Sequence, residues 1–443
     1  MSGQSQLLLG FYGDDFTGSA DTMEALSLNG ARTALFLEPP APEQLTGRFA
    51  GLRAVGVAGI SRSLAPAQMG EVLPPVFARM KQLGPAICQY KVCSTFDSSP
   101  EVGSIGRAIE IGQEVFGARW VPLLVGAPPL ERYCLFGNLF AGVGGEAYRL
   151  DRHPTMSRHP VTPMRESDLR LHLARQTDRR VALMDILSLT GDPGKVDQRL
   201  DGLLRARPDV VLFDVLDEAR LEEAGRLIWS RRGAGTNFAV GSSGLDYALA
   251  AHWRAAGVVA GPSRFAPAGP AERLIVVSGS CSPVTKVQIE WALARGFTGL
   301  RADVLRLADP GLAEAERARI VYQALDALGG GPGVVIYTAL GPEDPHIATG
   351  ARDRLGAEMG RILRALLEHT RLRRAVLAGG DTSGHAAREL ELTALELLTP
   401  MAPGSPLCRA ASAEPWLDGL ELALKGGQGG KEDYFGCVLR GGA

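Results

Sequence analysis

The sequence predicts an α/β protein of two domains, each built around a largely parallel sheet flanked by helices. Short, continuously apolar segments recur along the 443 residues and alternate with segments of helical periodicity. Strands that are apolar along their whole length are typical of parallel sheets covered by helices on both faces. The chain is also longer than the size at which one hydrophobic core usually keeps growing, which favours two domains.

The first half of the chain contains eight segments with the pattern of buried strands. The first, Leu7–Tyr12, leads into a helix after Thr17 that carries Ala20, Met23 and Leu26 on one face. The other seven are Arg32–Leu37, Ala54–Ala58, Ile87–Val92, Val121–Val125, Val181–Ile186, Val210–Val215 and Phe238–Val240. Helical segments with Arg- and Glu-rich outer faces separate many of them, as the alternation of a parallel sheet requires.

A stretch rich in glycine, alanine and proline interrupts this alternation. It predicts a division into residues 1–260, a linker over residues 261–272 and a second domain over residues 273–443. The alternation then begins again. Strands are predicted at Leu274–Val277, Val334–Tyr337 and Ala375–Leu377, and helices from about Pro283 and at Ala351–Leu367.

Composition narrows the class of protein. Apolar residues make up 45% and charged residues 22%, and the net charge of −2 argues against a nucleic-acid or membrane-surface partner. The six cysteines include no C-x-x-C pair, a pattern typical of reduced thiols. Because the amino terminus lacks a basic segment and no apolar run is long enough to span a membrane, a cytoplasmic protein is expected. Homo-oligomerisation stays open.

Two adjacent carboxylates, Asp14 and Asp15, follow the first predicted strand in the motif GDDFTG. Ligands of open α/β sheets bind beyond the carboxyl ends of strands, so these side chains lie where a site is expected. The alternative is structural, because Asp15 or Thr17 can cap the next helix while Asp14 occupies a turn. The spacing alone favours neither interpretation.

Two further segments carry polar side chains suited to an anion. In KVCSTFDSSPEVGSIG, Lys91 ends a strand and is followed by Ser94 and Thr95, which together can hold a carboxylate, or else form a surface turn. The proline-rich segment 150–164 presents Arg158 and His159 on a rigid path, either to an anion or to solvent. Its two histidines lack a third ligand at zinc-site spacing.

Three small-residue loops in the second half follow apolar strands. They are SGSCS (278–282), AGGDTSG (378–384) and KGGQGG (425–430). Glycine lets the backbone approach a ligand closely, and the free N–H groups at a helix start attract phosphate. One such loop is an ordinary turn, but three in one domain favour a nucleotide. The motifs of P-loop enzymes, dinucleotide dehydrogenases and α/β-hydrolases are absent.

These motifs, in this order, resemble those of the four-carbon acid sugar kinase family over nearly the whole chain. The matching segments are GDDFTGSAD (13–21), KVCSTFDSSPEVGSIG (91–106), HPVTPM (159–164), GSSGL (241–245), SGSCSPVTKVQ (278–288), GGDTSG (379–384) and LALKGGQGG (422–430). The resemblance implies an N-terminal sugar-binding domain, a C-terminal nucleotide-binding domain and an active site in the cleft between them.

The function implied by the resemblance is that of an ATP-dependent kinase acting on the terminal hydroxyl of a small acid sugar such as a tetronate or 3-oxo-tetronate. Asp14, with Asp15 as the next candidate, would be catalytic. The acid would be held by Lys91, Ser94, Thr95, Arg158, His159 and Ser243. ATP with Mg²⁺ would be held at Ser278, Ser280, Ser282, Gly379, Gly380, Asp381, Thr382, Ser383 and Gly427. The metal ligands stay unassigned.

Several positions depart from the family pattern. Asp381 stands where the family usually has Glu, Gln428 and Gly429 replace Asn and Phe, and Ala402 begins what is usually Asp-Pro-Gly. In the first domain Glu131 lies within a segment that replaces Asn-Gly-Arg, which leaves open a kinase for a different polyhydroxy acid. A non-catalytic sensor of acid and nucleotide, and a hydrolase or aldolase using Lys91, are the alternatives from other classes.

Overall fold

The computed structural model describes residues 7–159, 161–341 and 349–442, apart from the side chains of residues 349–353 and Asp381. The chain forms two compact units. The first consists of the segment ending at Asp14 together with Ala25–Thr33 and Pro39–Ser263. The second consists of Asp15–Glu24, Ala34–Glu38 and the segment beginning at Arg264. The second unit thus includes two segments that a single cut at residues 261–272 assigns to the first domain.

Seven parallel strands form the sheet of the first unit. Their order across the sheet is β3-β1-β4-β11-β5-β10-β9. In chain order they are β1 (Leu9–Gly13), β3 (Ala54–Ala58), β4 (Ile87–Lys91), β5 (Val121–Leu124), β9 (Val181–Met184), β10 (Val210–Phe213) and β11 (Asn237–Gly241). Almost all their residues are buried, which explains why these strands were recognisable as continuous apolar runs.

Six described helices lie wholly within the first unit, and a side chain caps each of them except the first. They are α2 (Pro66–Gln82), α3 (Ile105–Phe116), α4 (Leu169–Leu173), α5 (Pro193–Arg205), α6 (Glu218–Ser230) and α7 (Ser243–Ala255). The side chains of Ser104, Asp168, Asp192, Asp217 and Ser242 each accept a backbone N–H of the next turn. The segment between β5 and α4 forms a small antiparallel sheet of β6 (Arg132–Leu135), β7 (Asn138–Val143) and β8 (Glu146–Arg149).

The sheet of the second unit is mixed. Its strand order is β13-β14-β12-β15-β18-β17-β16-β2, parallel as far as β18 and antiparallel beyond it. The strands are β2 (Thr33–Phe36), β12 (Leu274–Ser278), β13 (Thr298–Arg301), β14 (Gly333–Tyr337), β15 (Arg374–Ala378), β16 (Leu392–Thr399), β17 (Leu407–Ser412) and β18 (Glu421–Lys425). Residues 34–36 of β2 pair with β16, so this strand contributes to the second unit.

The remaining helices are α1 (Phe16–Leu28), α8 (Pro283–Leu293), α9 (Val304–Ala308), α10 (Ala313–Ala327), α11 (Thr349–Thr370), α12 (Gly380–Glu389) and α13 (Tyr434–Arg440). The expected α/β architecture with largely parallel, helix-flanked sheets is confirmed. Within the described residues, no helix has both the length and the apolar character that crossing a membrane requires.

Glu24, on α1, is a buried carboxyl within the second unit. Its Oε2 accepts the N–H of Gly404 at 2.8 Å, and its Oε1 is buried, with no hydrogen-bond partner in residues 7–159, 161–341 and 349–442. Burial and the neighbouring Asp21 raise the pKa of Glu24 to about 8. Folding raises this pKa, so the protonated Glu24 is favoured in the folded state. Its contribution to the free energy of unfolding is complete below about pH 4.5, the value for the unfolded chain, and is lost as the pH rises to about 8.

We therefore expect Glu24→Gln to stabilise the protein relative to wild type at pH 8.5 and to change little at pH 5. A pKa difference of this size corresponds to a few kcal/mol, at about 1.4 kcal/mol per pH unit. Denaturant midpoints at both pH values measure the effect. Glu314→Gln, at an exposed glutamate of the same unit, is the matched control. A Glu24→Gln variant destabilised equally at both pH values would contradict the assignment.

Candidate active site

The carboxyl ends of neighbouring strands coincide in the first unit. Lys91, the last residue of β4, lies opposite both Gly13 of β1 and Gly241 of β11. The N–H of Asp14 then donates to the carbonyl of Lys91 at 2.9 Å. Asp14, Lys91 and the start of α7 at Ser243 therefore lie at the edge of the sheet where open parallel sheets bind ligands.

Asp14 is almost fully buried and forms an ion pair with an arginine that the sequence interpretation overlooked. Arg62 donates from Nη2 to Oδ1 at 2.7 Å and from Nε to Oδ2 at 3.2 Å. The backbone N–H of Arg62 also donates to the carbonyl of Asp14 at 3.0 Å. A bidentate pair of this kind fixes the direction of the carboxylate as well as its position. The signal that could have identified Arg62 is its position four residues after the predicted strand Ala54–Ala58, in the loop at its carboxyl end.

Aromatic residues form the layer next to this ion pair. Tyr90 lies within β4, stacks on Tyr12 with ring centroids 6.1 Å apart, and shares a hydrogen bond of 2.9 Å with the hydroxyl of Ser61. Burial and then the charge of Asp14 raise the pKa of Tyr90 well above its usual value. Tyr90 therefore stays neutral and supports the site through packing.

Asp15 caps α1. Its Oδ1 accepts the N–H of Gly18 at 2.9 Å, and its Oδ2 accepts the hydroxyl of Thr17 at 2.8 Å. The capping interpretation thus describes the role of Asp15 in the fold. The chain passes from the first unit to the second between Asp14 and Asp15, so the two carboxylates belong to different units.

Lys91 is only 2% exposed, and no hydrogen bond or ion pair of its ammonium is recorded among the described residues. An ammonium group is costly to bury without a partner. At the neighbouring strand end, the hydroxyl of Ser243 is likewise buried, with no hydrogen-bond partner among the described residues. Ser243 is the first residue of α7, where Ser242 accepts the N–H of Gly244 at 2.9 Å. A cation, a hydroxyl and a helix start are groups that suit a carboxylate ligand.

The hydroxyls after β4 differ in what they can offer a ligand. Thr95 donates to Asp97 at 2.7 Å and lies 2.9 Å from the thiol of Cys93, so its hydrogen is used within the loop. Ser94 is half-buried, and no hydrogen bond of its side chain is recorded in the described part of the chain. Phe96 has a φ of 57°, an uncommon conformation for a non-glycine residue that gives the loop a sharp bend.

Arg158 and His159 lie on the loop between β8 and α4. Arg158 is exposed, and the described residues include no hydrogen-bond or ion-pair partner for it. His159 accepts the N–H of Thr162 at its Nδ1 at 3.0 Å. No recorded contact brings either side chain to Lys91. Glu131 is also exposed, and its Oε2 would lie 2.6 Å from a Cβ placed on Gly142 of β7.

The three small-residue loops converge in the second unit. Ser278, at the end of β12, lies opposite Ala378 of β15, and Ala378 lies opposite Lys425 of β18. The strands therefore end side by side, and the loops follow directly. Gly379 has a φ of 118°, a conformation that favours glycine, and α12 begins at the next residue, Gly380.

Close contacts join these loops to one another. A Cβ placed on Gly279 would lie 2.0 Å from the hydroxyl oxygen of Thr382. A Cβ on Gly427 would lie 3.1 Å from both Ser280 Oγ and Ser282 Cβ. A side chain at Gly279 would separate the loops, so the packing of the second unit itself requires glycine there, whereas at Gly427 a Cβ would only be tightly packed.

The serines of the first loop each accept a backbone N–H with the hydroxyl oxygen. Ser278 accepts from Ser280 at 3.4 Å, Ser280 from Ser282 at 3.2 Å, and Ser282 from Val284 at 3.2 Å, capping α8. No acceptor for their hydroxyl hydrogens is recorded among the described residues, so these donors are available to a ligand. The hydroxyl of Ser383, on α12, is buried and has no hydrogen-bond partner within the described part of the chain.

Space is open at the start of α12. A Cβ placed on Gly380 would meet nothing closer than the Thr17 hydroxyl, 3.8 Å away. The side chain of Asp381 lies outside the described part of the structure. In the last loop Gln428 is exposed, and a Cβ on Gly429 would lie 2.2 Å from Ser405 Oγ. Glycine at position 429 therefore leaves room for Ser405.

An open groove of about 980 Å³ lies at the opposite edge of the first unit's sheet. Its lining includes Ile87 and Asn237, the first residues of β4 and β11. Ligands of open parallel sheets bind at the carboxyl ends of the strands. We therefore place the candidate site at Lys91 and Asp14 despite the size of this groove.

Residues 9–249 match the model of a sugar-binding N-terminal domain, and residues 275–435 match that of a nucleotide-binding C-terminal domain. A 3-oxo-isoapionate kinase of Paraburkholderia graminis is 52% identical, over 98% of this chain and 94% of that one. A 3-oxo-tetronate kinase of Methylobacterium radiotolerans is 34% identical, over 98% and 99%. A crystal structure from Salmonella typhimurium LT2 is 25% identical, with a TM-score of 0.77 over 97% of this chain and 98% of that one.

A sugar-binding domain followed by a nucleotide-binding domain defines a class of sugar kinases. The chain belongs to the four-carbon acid sugar kinase family, which confirms the resemblance found in the sequence. It is an ATP-dependent acid sugar kinase.

Proposed function

We propose that this kinase transfers the γ-phosphoryl group of ATP to the terminal hydroxyl of 3-oxo-isoapionate. This acid is named in the relative of 52% identity, whereas the 3-oxo-tetronate kinase from Methylobacterium radiotolerans is 34% identical. A four-carbon acid such as 3-oxo-tetronate is the second candidate. Both names specify an acid, so both agree with an anion site in the first unit.

The observation that carries the proposal is the almost fully buried side chain of Lys91, for whose ammonium no partner is recorded among the described residues. Lys91 ends β4 opposite Gly241 of β11, two residues before Ser243, and burial of an unpaired charge is strongly unfavourable. A substrate carboxylate would provide the missing partner. Ser94 would add a hydrogen bond, whereas the hydroxyl of Thr95 is already donated to Asp97. Arg158 and His159 stay predictions for the same role.

Asp14 would orient the substrate hydroxyl and accept its proton as the phosphoryl group is transferred. Arg62 holds the Asp14 carboxylate in one direction, which limits the geometries from which a hydroxyl can approach. The N–H groups and hydroxyls of the three small-residue loops would bind the phosphates. Phosphoryl transfer depends mainly on such positioning and on charge stabilisation. The predicted cleft location of the active site stays a prediction.

Mg²⁺ would neutralise phosphate charge and polarise the transferred group. Within the described residues no cluster of three side chains suited to a metal is found. This fits an ion that is carried mainly by ATP phosphates and water, with at most one or two protein carboxylates. Asp14, which follows the carboxyl end of β1, is a candidate for one of these carboxylates.

Residues 1–260 are proposed to bind the acid sugar, and residues 273–443 are proposed to bind the nucleotide. The matched family domains, which end at residue 249 and begin at residue 275, agree with this division. Residues 15–24 and 34–38 would then contribute to the nucleotide-binding unit. A cytoplasmic location is proposed from the cysteine pattern.

ADP release measured across a panel of acids tests the choice of substrate. The highest kcat/KM is expected for 3-oxo-isoapionate, with lower values for 3-oxo-tetronate and tetronate. Equal or higher kcat/KM with 3-oxo-tetronate would replace the first candidate by the second. ADP and ATP binding without ADP release for any acid would favour the sensor, and a cleaved acid would favour the aldolase or hydrolase.

Lys91→Met is expected to raise KM for the acid by about 10–100-fold, the range for loss of a hydrogen bond to a charged group. KM for ATP should change little, since Lys91 belongs to the first unit. Because uniform binding is lost, kcat should fall less than kcat/KM. Lys81→Met, at an exposed lysine of the same unit, is the control. An unchanged KM for the acid would remove Lys91 from the site.

A further inference from the structure

Lys425 is a fully buried lysine that begins the last glycine loop. It is the final residue of β18, and its carbonyl accepts the N–H of Gly379 at 2.9 Å. It therefore lies beside two of the three loops that converge in the second unit. From the sequence this segment is predicted to be a glycine loop, with no role for its lysine.

The ammonium of Lys425 joins the loop to the first turn of α8. Nζ donates to the hydroxyl of Thr285 at 2.9 Å, to the carbonyl of Gly426 at 2.8 Å and to that of Gly427 at 3.3 Å. Thr285 in turn donates to the carbonyl of Gly427 at 3.0 Å. Because three acceptors surround the ammonium, its hydrogens are occupied within the protein and do not need a ligand.

These hydrogen bonds set the direction of two peptide planes. In a trans peptide the C=O and N–H groups point in opposite directions, so the N–H groups of Gly427 and Gln428 point away from the ammonium. No acceptor for either N–H is recorded among the described residues. The position of a Gly427 Cβ, 3.1 Å from Ser280 Oγ, shows that this loop lies against the serine loop. Two unpaired N–H groups near available hydroxyls form a concave donor surface suited to phosphate.

We propose that Lys425 is a positioning residue of the nucleotide site, which turns the N–H groups of Gly427 and Gln428 toward the phosphates without contacting them. This inference rests on the proposed role of the small-residue loops in nucleotide binding. Glycine at positions 426 and 427 allows the backbone to adopt this turn. The hydrogen bonds of the ammonium then hold the two peptide groups in one orientation.

The protonation state of Lys425 provides a second measurable quantity, the uptake of protons when the nucleotide binds. Burial lowers its pKa to about 7, and no charged group is recorded as a contributor. On α8, Lys286 and Glu290 lie 4.0 Å apart and form their own pair. Asp381, on α12, has no described side chain. Phosphate bound across the loop stabilises the protonated ammonium, so nucleotide binding takes up a proton above neutral pH.

Calorimetric titration of the full chain with ADP, at about pH 8 in two buffers of different ionisation enthalpy, measures this uptake. Wild type is expected to take up a measurable fraction of a proton per ADP. Lys425→Met should lose the uptake and raise the ADP dissociation constant by about tenfold or more. Thr285→Val, which removes one acceptor and no charge, should weaken ADP binding while the uptake remains. Lys195→Met, at an exposed lysine of the first unit, is the control and should match wild type.

The outcomes separate this inference from the proposed function. Wild type that does not bind ADP would overturn both. Wild type that binds ADP without proton uptake would overturn the role of Lys425 alone. So would a Lys425→Met variant with unchanged ADP affinity. If Lys425→Met does not fold, wild type and Thr285→Val decide the question.

Discussion

Asp14→Asn is expected to lower kcat by about 10²–10⁴-fold, the range typical for loss of a general base. Asparagine has nearly the same shape and can keep one hydrogen bond to Arg62, but it cannot accept the substrate proton. The dissociation constant for ADP should change little, since Asp14 belongs to the first unit and the small-residue loops to the second. Steady-state kinetics together with ADP titration measure both quantities.

Asp15→Asn is the matched control for this variant. Asp15 caps α1, and asparagine is also a good capping residue, so both stability and kcat should stay close to wild type. A kinase that keeps its kcat with Asp14→Asn and loses it with Asp15→Asn would reassign the catalytic carboxylate to Asp15.

Gly380→Val is expected to abolish nucleotide binding while the protein stays folded. Among the described residues a Cβ at Gly380 meets nothing closer than 3.8 Å, so the added side chain occupies space that these residues leave open and that the phosphates would use. Wild type should show a thermal stabilisation that grows with ADP concentration, and the variant should show none. A thermal-shift titration of the full chain measures this difference.

Gly330→Val is the control for the loop variant. Gly330 is an exposed glycine of the second unit, and a Cβ there also meets nothing within 4 Å. Its stabilisation by ADP should match that of wild type. A Gly380→Val variant that is still stabilised by ADP would remove the start of α12 from the nucleotide site. Gly279→Ala is unsuitable as a probe, because its Cβ would lie 2.0 Å from Thr382 Oγ1 and disturb the loops themselves.

The strands predicted most accurately are those buried on both faces. Ala54–Ala58 matches β3 at both ends, and Leu274–Val277 and Val334–Tyr337 match β12 and β14 to within one residue. Strands of mixed exposure were missed. Residues of β16 alternate between buried and half-buried, and β8 is largely exposed, so neither has the continuous apolar run that revealed the others.

Long-range pairing explains the other differences. Nothing local in Ala34–Phe36 shows that this strand pairs with β16, more than 350 residues further along the chain. The residues of the candidate site divide in the same way into those recognisable from local sequence and those that depend on long-range pairing. Strand-to-loop junctions revealed Asp14, Lys91 and the three small-residue loops, because the rule that locates them is local. The roles of Arg62 and Lys425 depend on which strands end side by side, and they became visible only through the contacts of their side chains.

The central claim is that phosphate passes from ATP to an acid sugar whose carboxylate is held at Lys91. The most direct measurement is mass spectrometry of the product formed from 3-oxo-isoapionate and ATP, beside a neutral sugar of similar size. The account predicts one ADP and one singly phosphorylated acid per turnover, and no phosphorylation of the neutral sugar. Phosphorylation of the neutral sugar with no phosphorylated acid would contradict it.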